Sequence, residues 1–300
     1  KNFIAIFEDT KQYTLDNNLT KSKTTKHTFL QIEPTNGLTK SNISVINSDT
    51  VSAALDFSLL GKTALLNMAS YKRPGGGVRN GARAQEECLF RCSNLSEVIP
   101  TSHYPLQEDE CVYTSAGVFF KDFNYNYTTP TEIDVITMAA INLNGFELTD
   151  FKQYIKTNKD KIRLMLSLAI KNEVKNIILG AWGCGVFKNN PVQIATFFKE
   201  VLDEGYNSYF DNVVFAIIND HNSVDNNLEI MLQEDDSSQS KIFIDIESQF
   251  NLIFNENKKE GLDSLISLQL FDLLGYKIDL NKIYYIKENK VFLTSLAKFI

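Results

Sequence analysis

Several short stretches of this chain are mostly apolar, with apolar residues on alternate and adjacent positions alike: residues 63–68, 133–138, 176–179 and 213–218, joined by 29–32, 43–46 and 117–120 as further candidate strands. A strand with no polar face must be covered on both sides, which is the pattern of a buried sheet rather than of one open to water. Helical patterns lie between the strands. Residues 162–170 place Ile162, Leu166, Ala169 and Ile170 on one face, and 191–202 begin with Pro191 at a favourable first helical position. Strands alternating with helices predict an α/β fold with helices on both faces of one sheet.

At 300 residues the chain has room for one large domain or two small ones, by the guide of about 150 residues per domain. The polar, acidic segment 232–240 marks a surface linker, so residues 1–230 are expected to form the main domain. Residues 231–300 are expected to be that linker and a small appended subdomain, with an amphipathic helix stopping near Gly275 and a short hairpin after it. No apolar run approaches the roughly 18 residues of a membrane-spanning helix, so no membrane partner is expected. The net charge of −7 argues against general nucleic-acid binding, which draws on an excess of Lys and Arg. Four cysteines, Cys88, Cys92, Cys111 and Cys184, are too few and too irregular for a disulfide framework. With no signal-peptide pattern at the amino terminus, an intracellular and specifically cytoplasmic location is expected. Cys88 and Cys92 lack a CxxC or His partner at ligand spacing, so no metal site is expected.

The functional signal lies in two glycine loops, each following an apolar strand. The first runs from Pro74 through Gly75, Gly76 and Gly77 and, seven residues on, reaches Gln85, Glu86 and Glu87. The second carries Gly180, Gly183 and Gly185 with Trp182 and Phe187 beside them. Glycine permits positive φ and removes Cβ, so such backbones can present N–H groups to an anion. Either loop alone is read most simply as a flexible turn, and two glutamates opening a helix as dipole-compensating charges. In a parallel sheet, however, both loops emerge at the carboxyl edge, where ligand crevices form. The glycine spacing fits neither the dinucleotide fingerprint nor a Walker-type loop, which lacks its G-K-[ST] here. Lys72, Arg73, Arg79, Arg83 and Arg91 surround the first loop and would draw an anionic ligand to it.

The order GGG, a seven-residue spacer and QEE resembles the signature of poly(ADP-ribose) glycohydrolases, and LGAWGCGVF is similar to that family's diphosphate-binding loop. The order of VINSDTVSAALDF, LLNMAS and VVFAIIND around them resembles the compact microbial-type branch, over roughly residues 40–220. The resemblance implies a macrodomain-like three-layer α/β/α fold with a mixed, largely parallel sheet, plus a small C-terminal extension. It implies Glu87 as the catalytic acid, and Glu86 as the residue holding the adjoining ribose. Gln85 completes the signature as a ligand-binding position. Asn67, Gly75, Gly76, Gly77, Gly183, Cys184, Gly185, Val186 and Phe187 would contact ribose or diphosphate, and Asp49 the adenine side. Ala181 departs from larger relatives, which have a polar residue there.

The implied activity is hydrolysis of O-glycosidic ribose–ribose bonds in poly(ADP-ribose), mainly from the chain end, with ADP-ribose as product and no cofactor. The expected partners are the polymer or other ADP-ribosylated macromolecules. Two alternatives stay open: a hydrolase of single ADP-ribosyl groups on protein or nucleic acid, and a macrodomain that binds ADP-ribose without cleaving it. Because adjacent helical residues diverge by about 100°, Glu86 and Glu87 are not expected to flank a bond as a two-carboxylate pair.

Overall fold

A computed structural model describes residues 1–28, 30–34, 40–146 and 148–218. The linker and subdomain expected over 231–300 lie outside the described residues. One seven-stranded sheet organises the rest. Its strands are β1 (Lys23–His27), β2 (Asn42–Ile46), β3 (Thr63–Met68), β4 (Cys111–Lys121), β5 (Tyr127–Met138), β6 (Asn176–Leu179) and β7 (Asn212–Ala216). They lie in the order β1-β4-β5-β3-β6-β7-β2. β5, β3, β6, β7 and β2 are joined by parallel pairings, and β4 runs antiparallel to both β5 and β1. This is the α/β fold that the alternation of segments predicts, with the mixed, largely parallel sheet that the resemblance implies.

The mostly apolar strands are explained by two cores. Ala64, Leu66, Ile136, Met138, Ile177, Leu179, Val213 and Phe215 point to one face, against α5 (Phe151–Lys171) and α6 (Pro191–Asp203). Their neighbours Leu65, Val135, Ile178, Val214 and Ala216 point to the other. That second core is closed by α1 (Phe3–Asp16), α2 (Thr50–Ser58), α3 (Gln85–Cys92) and the short α4 (Leu95–Val98). Burying side chains of this size stabilises by about 1.5–3 kcal/mol each relative to exposure, and alternate residues do so on opposite faces. The helices start where the sequence caps them: Asp49, Asp150 and Asn190 each accept a backbone N–H of the first turn, and Pro191 follows the last of these.

Two elements differ from the sequence reading. One edge strand is the polar segment β1; of the strand expected over 29–32, residue 29 lies outside the described residues and 30–32 are not in a strand. Leu30 and Ile32 instead cover the sheet's α5/α6 side, where the Ile32 N–H donates to Ser167 Oγ at 3.0 Å and the Tyr206 hydroxyl donates to the Ile32 carbonyl at 2.9 Å. The polar amino-terminal segment contains a 14-residue helix, α1. Its buried face is Phe7, Thr10 and Thr14, so two of the three inward residues are hydroxylic and leave little apolar periodicity.

Candidate active site

β3 pairs with β5 on one side and β6 on the other, so the loops after β3 and β6 leave the sheet side by side. They line a cleft of about 650 Å³ along the carboxyl edge of the parallel strands. Gly76, Gly77, Gln85, Glu86, Glu87, Gly183, Gly185, Val186, Phe187 and Asp49 all line it. Most of the predicted site is therefore brought together.

The first loop turns back on the helix it precedes. The Ser70 N–H donates to Glu86 Oε2 at 2.7 Å and the Gly75 N–H to Glu86 Oε1 at 3.1 Å. The Gly77 N–H donates to Glu87 Oε1 at 2.8 Å and the Ala84 N–H to Glu87 Oε2 at 3.0 Å. The groups held by this nest are thus the protein's own pair of carboxyls. Gly76 sits between them with φ 52°, and a Cβ there would come within 2.5 Å of Glu87 Oε1 and 3.0 Å of Glu86 Oε2. Although the two side chains leave the helix in different directions, the loop wraps its start and serves both. Gly75 also has positive φ, and its missing Cβ makes room for the Phe90 ring, whereas Gly77 has φ −99°.

Burial pushes the Glu86 carboxyl up to about 8, with the Glu87 charge adding to the rise and the N–H groups of Ser70 and Gly75 and the Asn67 amide opposing it. At neutral pH Glu86 is therefore mostly protonated, and the pair does not carry two full charges. Gln85 spends its amide inside the fold: its Oε1 accepts the Met68 N–H at 2.9 Å, and its Nε2 donates to the Leu66 carbonyl and Thr50 Oγ1. It fixes α3 to the end of β3. Asn67 is fully buried, with Nδ2 3.4 Å from Glu86 Oε1 and 3.3 Å from Thr137 Oγ1, and it lies beneath Glu86 rather than on the cleft wall.

The second loop is anchored from below. Trp182 is fully buried, and its indole N–H donates to the Met138 carbonyl at 3.2 Å. Asn189, a residue that the sequence reading passed over, donates through Nδ2 to the carbonyls of Ile141 and Gly183 and accepts the Tyr154 hydroxyl at 2.8 Å. Gly183 has φ 77°, and a Cβ there would strike Ala140 and Asn189. Gly185 is not among the glycines of positive φ. Cys184 points its side chain into the core, and its N–H donates to the Ala181 carbonyl. Among the described residues the N–H groups of Gly185, Val186 and Phe187 meet no acceptor, so this loop keeps donors for a ligand.

Asp49 caps α2 by accepting the Ser52 N–H at 2.9 Å and borders the cleft at its β2 end. The basic cluster divides. Lys72, Arg73 and Arg83 line the cleft, Arg79 lies over Phe7, and Arg91 is buried, donating to the carbonyls of Phe3 and Ala82.

Residues 2–122, from α1 through both glutamates, match the family model of the microbial-type PARG catalytic domain. The resemblance is to microbial-type PARG. The fold extends it. The poly(ADP-ribose) glycohydrolase of Thermomonospora curvata superposes with a TM-score of 0.68 at 23% identity, over 77% of this chain and 98% of that one. The same enzyme bound to the inhibitor ADP-HPD gives 0.66 at 22% identity, with the same coverage. PARG from Deinococcus radiodurans in complex with ADP-ribose gives 0.60 at 26% identity, over 76% and 96% of the two chains. No curated protein matches the sequence. The PARG match begins at α1, well before the point near residue 40 where the motifs become readable, and the PARG fold accounts for the three layers around the cleft.

Proposed function

We propose that this protein is a glycosidase that hydrolyses the O-glycosidic ribose–ribose bonds of poly(ADP-ribose), mainly from the chain end, and releases ADP-ribose. The observation that carries this reading is the seating of Glu86 and Glu87 in the Gly75–Gly77 turn, facing a loop with unspent N–H donors in the same cleft. The match to microbial-type PARG and the likeness to PARG structures holding ADP-ribose or an inhibitor support it. The loop after β6 receives the diphosphate on its open N–H groups, and Phe187 walls the adjoining ribose. Glu87 gives its carboxyl proton to the leaving 2′-oxygen as the C1″–O bond breaks through an oxocarbenium-like state. The resulting carboxylate takes a proton from the water that attacks C1″, which restores the acid. Glu86, held neutral by burial, hydrogen-bonds the same ribose. Asp49 borders the adenine side.

The substrate partner is the polymer or another ADP-ribosylated macromolecule. Among the described residues no helix is long and apolar enough to cross a membrane. The four cysteines are buried thiols, none in a disulfide, which suits a reducing cytoplasmic setting.

Glu87→Gln is expected to lower polymer turnover by about 10² to 10⁴, the usual range for general acid–base help, while ADP-ribose affinity by calorimetry stays within a few-fold. A Glu87→Gln chain retaining more than about a tenth of wild-type release would remove Glu87 from the proton-transfer role.

A further inference from the structure

The cleft continues past the glutamates. The turn between β4 and β5 lies at the amino end of β5, away from the two glycine loops, but it packs along α3 and so reaches the same cleft. On the hairpin side the wall includes Phe3, Phe123 and Tyr125 together with Lys1 and Asn124, and Arg83 also lines the cleft. The hydrolytic scheme leaves all of these unused.

The hairpin tip is built to hold its shape. The Asp122 carboxylate accepts the Asn126 N–H at 2.9 Å and Nδ2 at 3.1 Å, and the Asp122 carbonyl accepts the Tyr125 N–H at 2.9 Å. Cys92 Sγ donates to that same carbonyl and ties the tip to α3. Tyr125 has φ 69°, a backbone region that a bulky residue occupies only when its surroundings over-determine it, and such positions gather at functional sites. Its ring meets Phe3 edge to face at 6.0 Å, and the guanidiniums of Arg91 and Arg83 lie over Phe3 at 4.9 and 5.8 Å. Tyr125 and Phe3 are thereby spent on packing. Phe123 is not: its ring has no aromatic partner among the described residues and is 38% exposed at the cleft. A lone exposed aromatic is ordinary on a protein surface. This one stands on a strained turn and lines the same cleft as Glu87 and the exposed Arg83.

We propose that Phe123 and Arg83 form a leaving-group subsite, which takes the nucleoside diphosphate part of the polymer unit beyond the scissile bond. The purine base stacks on Phe123, and Arg83 faces the phosphates of that unit. This rests on the glycohydrolase reading. If the loop after β6 holds the diphosphate of the unit being released, the departing 2′-oxygen and everything attached to it lie across Glu87, toward the hairpin. Stacking tolerates any base face and gains from a neighbouring guanidinium. A purine in this position is supplied by the polymer and not by a single ADP-ribosyl group on a protein side chain, so the subsite would set the preference for polymer.

The test uses the full chain carrying Glu87→Gln and compares the binding of ADP-ribose with that of its 2′-linked dimer. The dimer is expected to bind about tenfold tighter, within the range of one base–aromatic stack. Adding Phe123→Ala should erase that advantage and leave ADP-ribose affinity unchanged, and Phe123→Trp should restore it. Arg83→Gln should reduce the salt dependence of dimer binding alone. Equal affinities for monomer and dimer, or an advantage that survives Phe123→Ala, would overturn the subsite while leaving the glycohydrolase reading intact. Failure of the Glu87→Gln chain to bind ADP-ribose at all would refute both.

Discussion

Glu86 at the start of α3 and Gly76 in the loop before it lend themselves to direct measurement. A carboxyl whose folded-state pKa is raised holds its proton in the folded chain after the unfolded chain has lost it. For Glu86 that window runs from 4.5 to about 8, and stability contributed by the bound proton falls as pH rises through it. Glu86→Gln removes this linkage. Its melting temperature should therefore depend less on pH than that of the parent across the window, and the gap between the two should move in favour of the variant toward pH 8. Thermal unfolding at several pH values checks this, and parallel curves would mean that Glu86 titrates normally. Gly76 makes a second case, because its positive φ and its contact with both carboxylates coincide. Gly76→Ala should cost about 1–2 kcal/mol in backbone strain alone and should also push Glu87 from its seat. Loss of turnover much larger than the loss of stability is the expected result.

At the scale of the element, α1 shows how a polar helix is held. Lys121 Nζ, almost wholly buried, donates to Asp9 at 2.6 Å and to Thr10 Oγ1 at 2.8 Å, and Thr10 Oγ1 reaches the Arg91 carbonyl at 2.7 Å. Asp9 remains more than half exposed, so the two partners are not equivalent. Removing Asp9 strands a buried ammonium, whereas removing Lys121 leaves a carboxylate that water can solvate. Asp9→Ala should thus destabilise the fold more than Lys121→Met, as judged by denaturant midpoints, and the reverse order would show that the pair is dominated by apolar packing. The loop after β6 depends on its own anchor. Asn189→Ala removes the hydrogen bonds to Ile141, Gly183 and Tyr154, and it should weaken ADP-ribose binding more than it lowers the melting temperature.

Over the whole molecule, charge bears on how a polymer would be used. The chain carries a net charge of −7, while Lys72, Arg73 and Arg83 gather at the cleft. Such a distribution draws one anionic unit to one place and, among the described residues, offers no long cationic track to clamp a polyanion. Early time points of a digest of long polymer should therefore contain ADP-ribose and slowly shortening chains. A first crop of mid-length fragments would reveal internal cutting.

The layered α/β class was determined by sequence, because strands such as 63–68 and 176–179 are apolar on both faces and only a doubly covered sheet satisfies them. The glycines of the cleft were noticeable for a related reason, since positive φ and close backbone approach favour glycine, whereas the glutamates stood out only through their resemblance to a family signature. Tertiary structure decided what each glycine serves. Gly75 and Gly76 make room for Phe90 and for the chain's own carboxylates, and the second loop retains the open donors. It also decided that Asn67 lies beneath Glu86, that Asn189 anchors the loop and that α1 closes the second core. These depend on polar groups meeting partners far away in sequence, such as Thr10 with Arg91. A hydrogen bond of that kind has no periodicity to read along the chain, so only the assembled fold brings its two ends together.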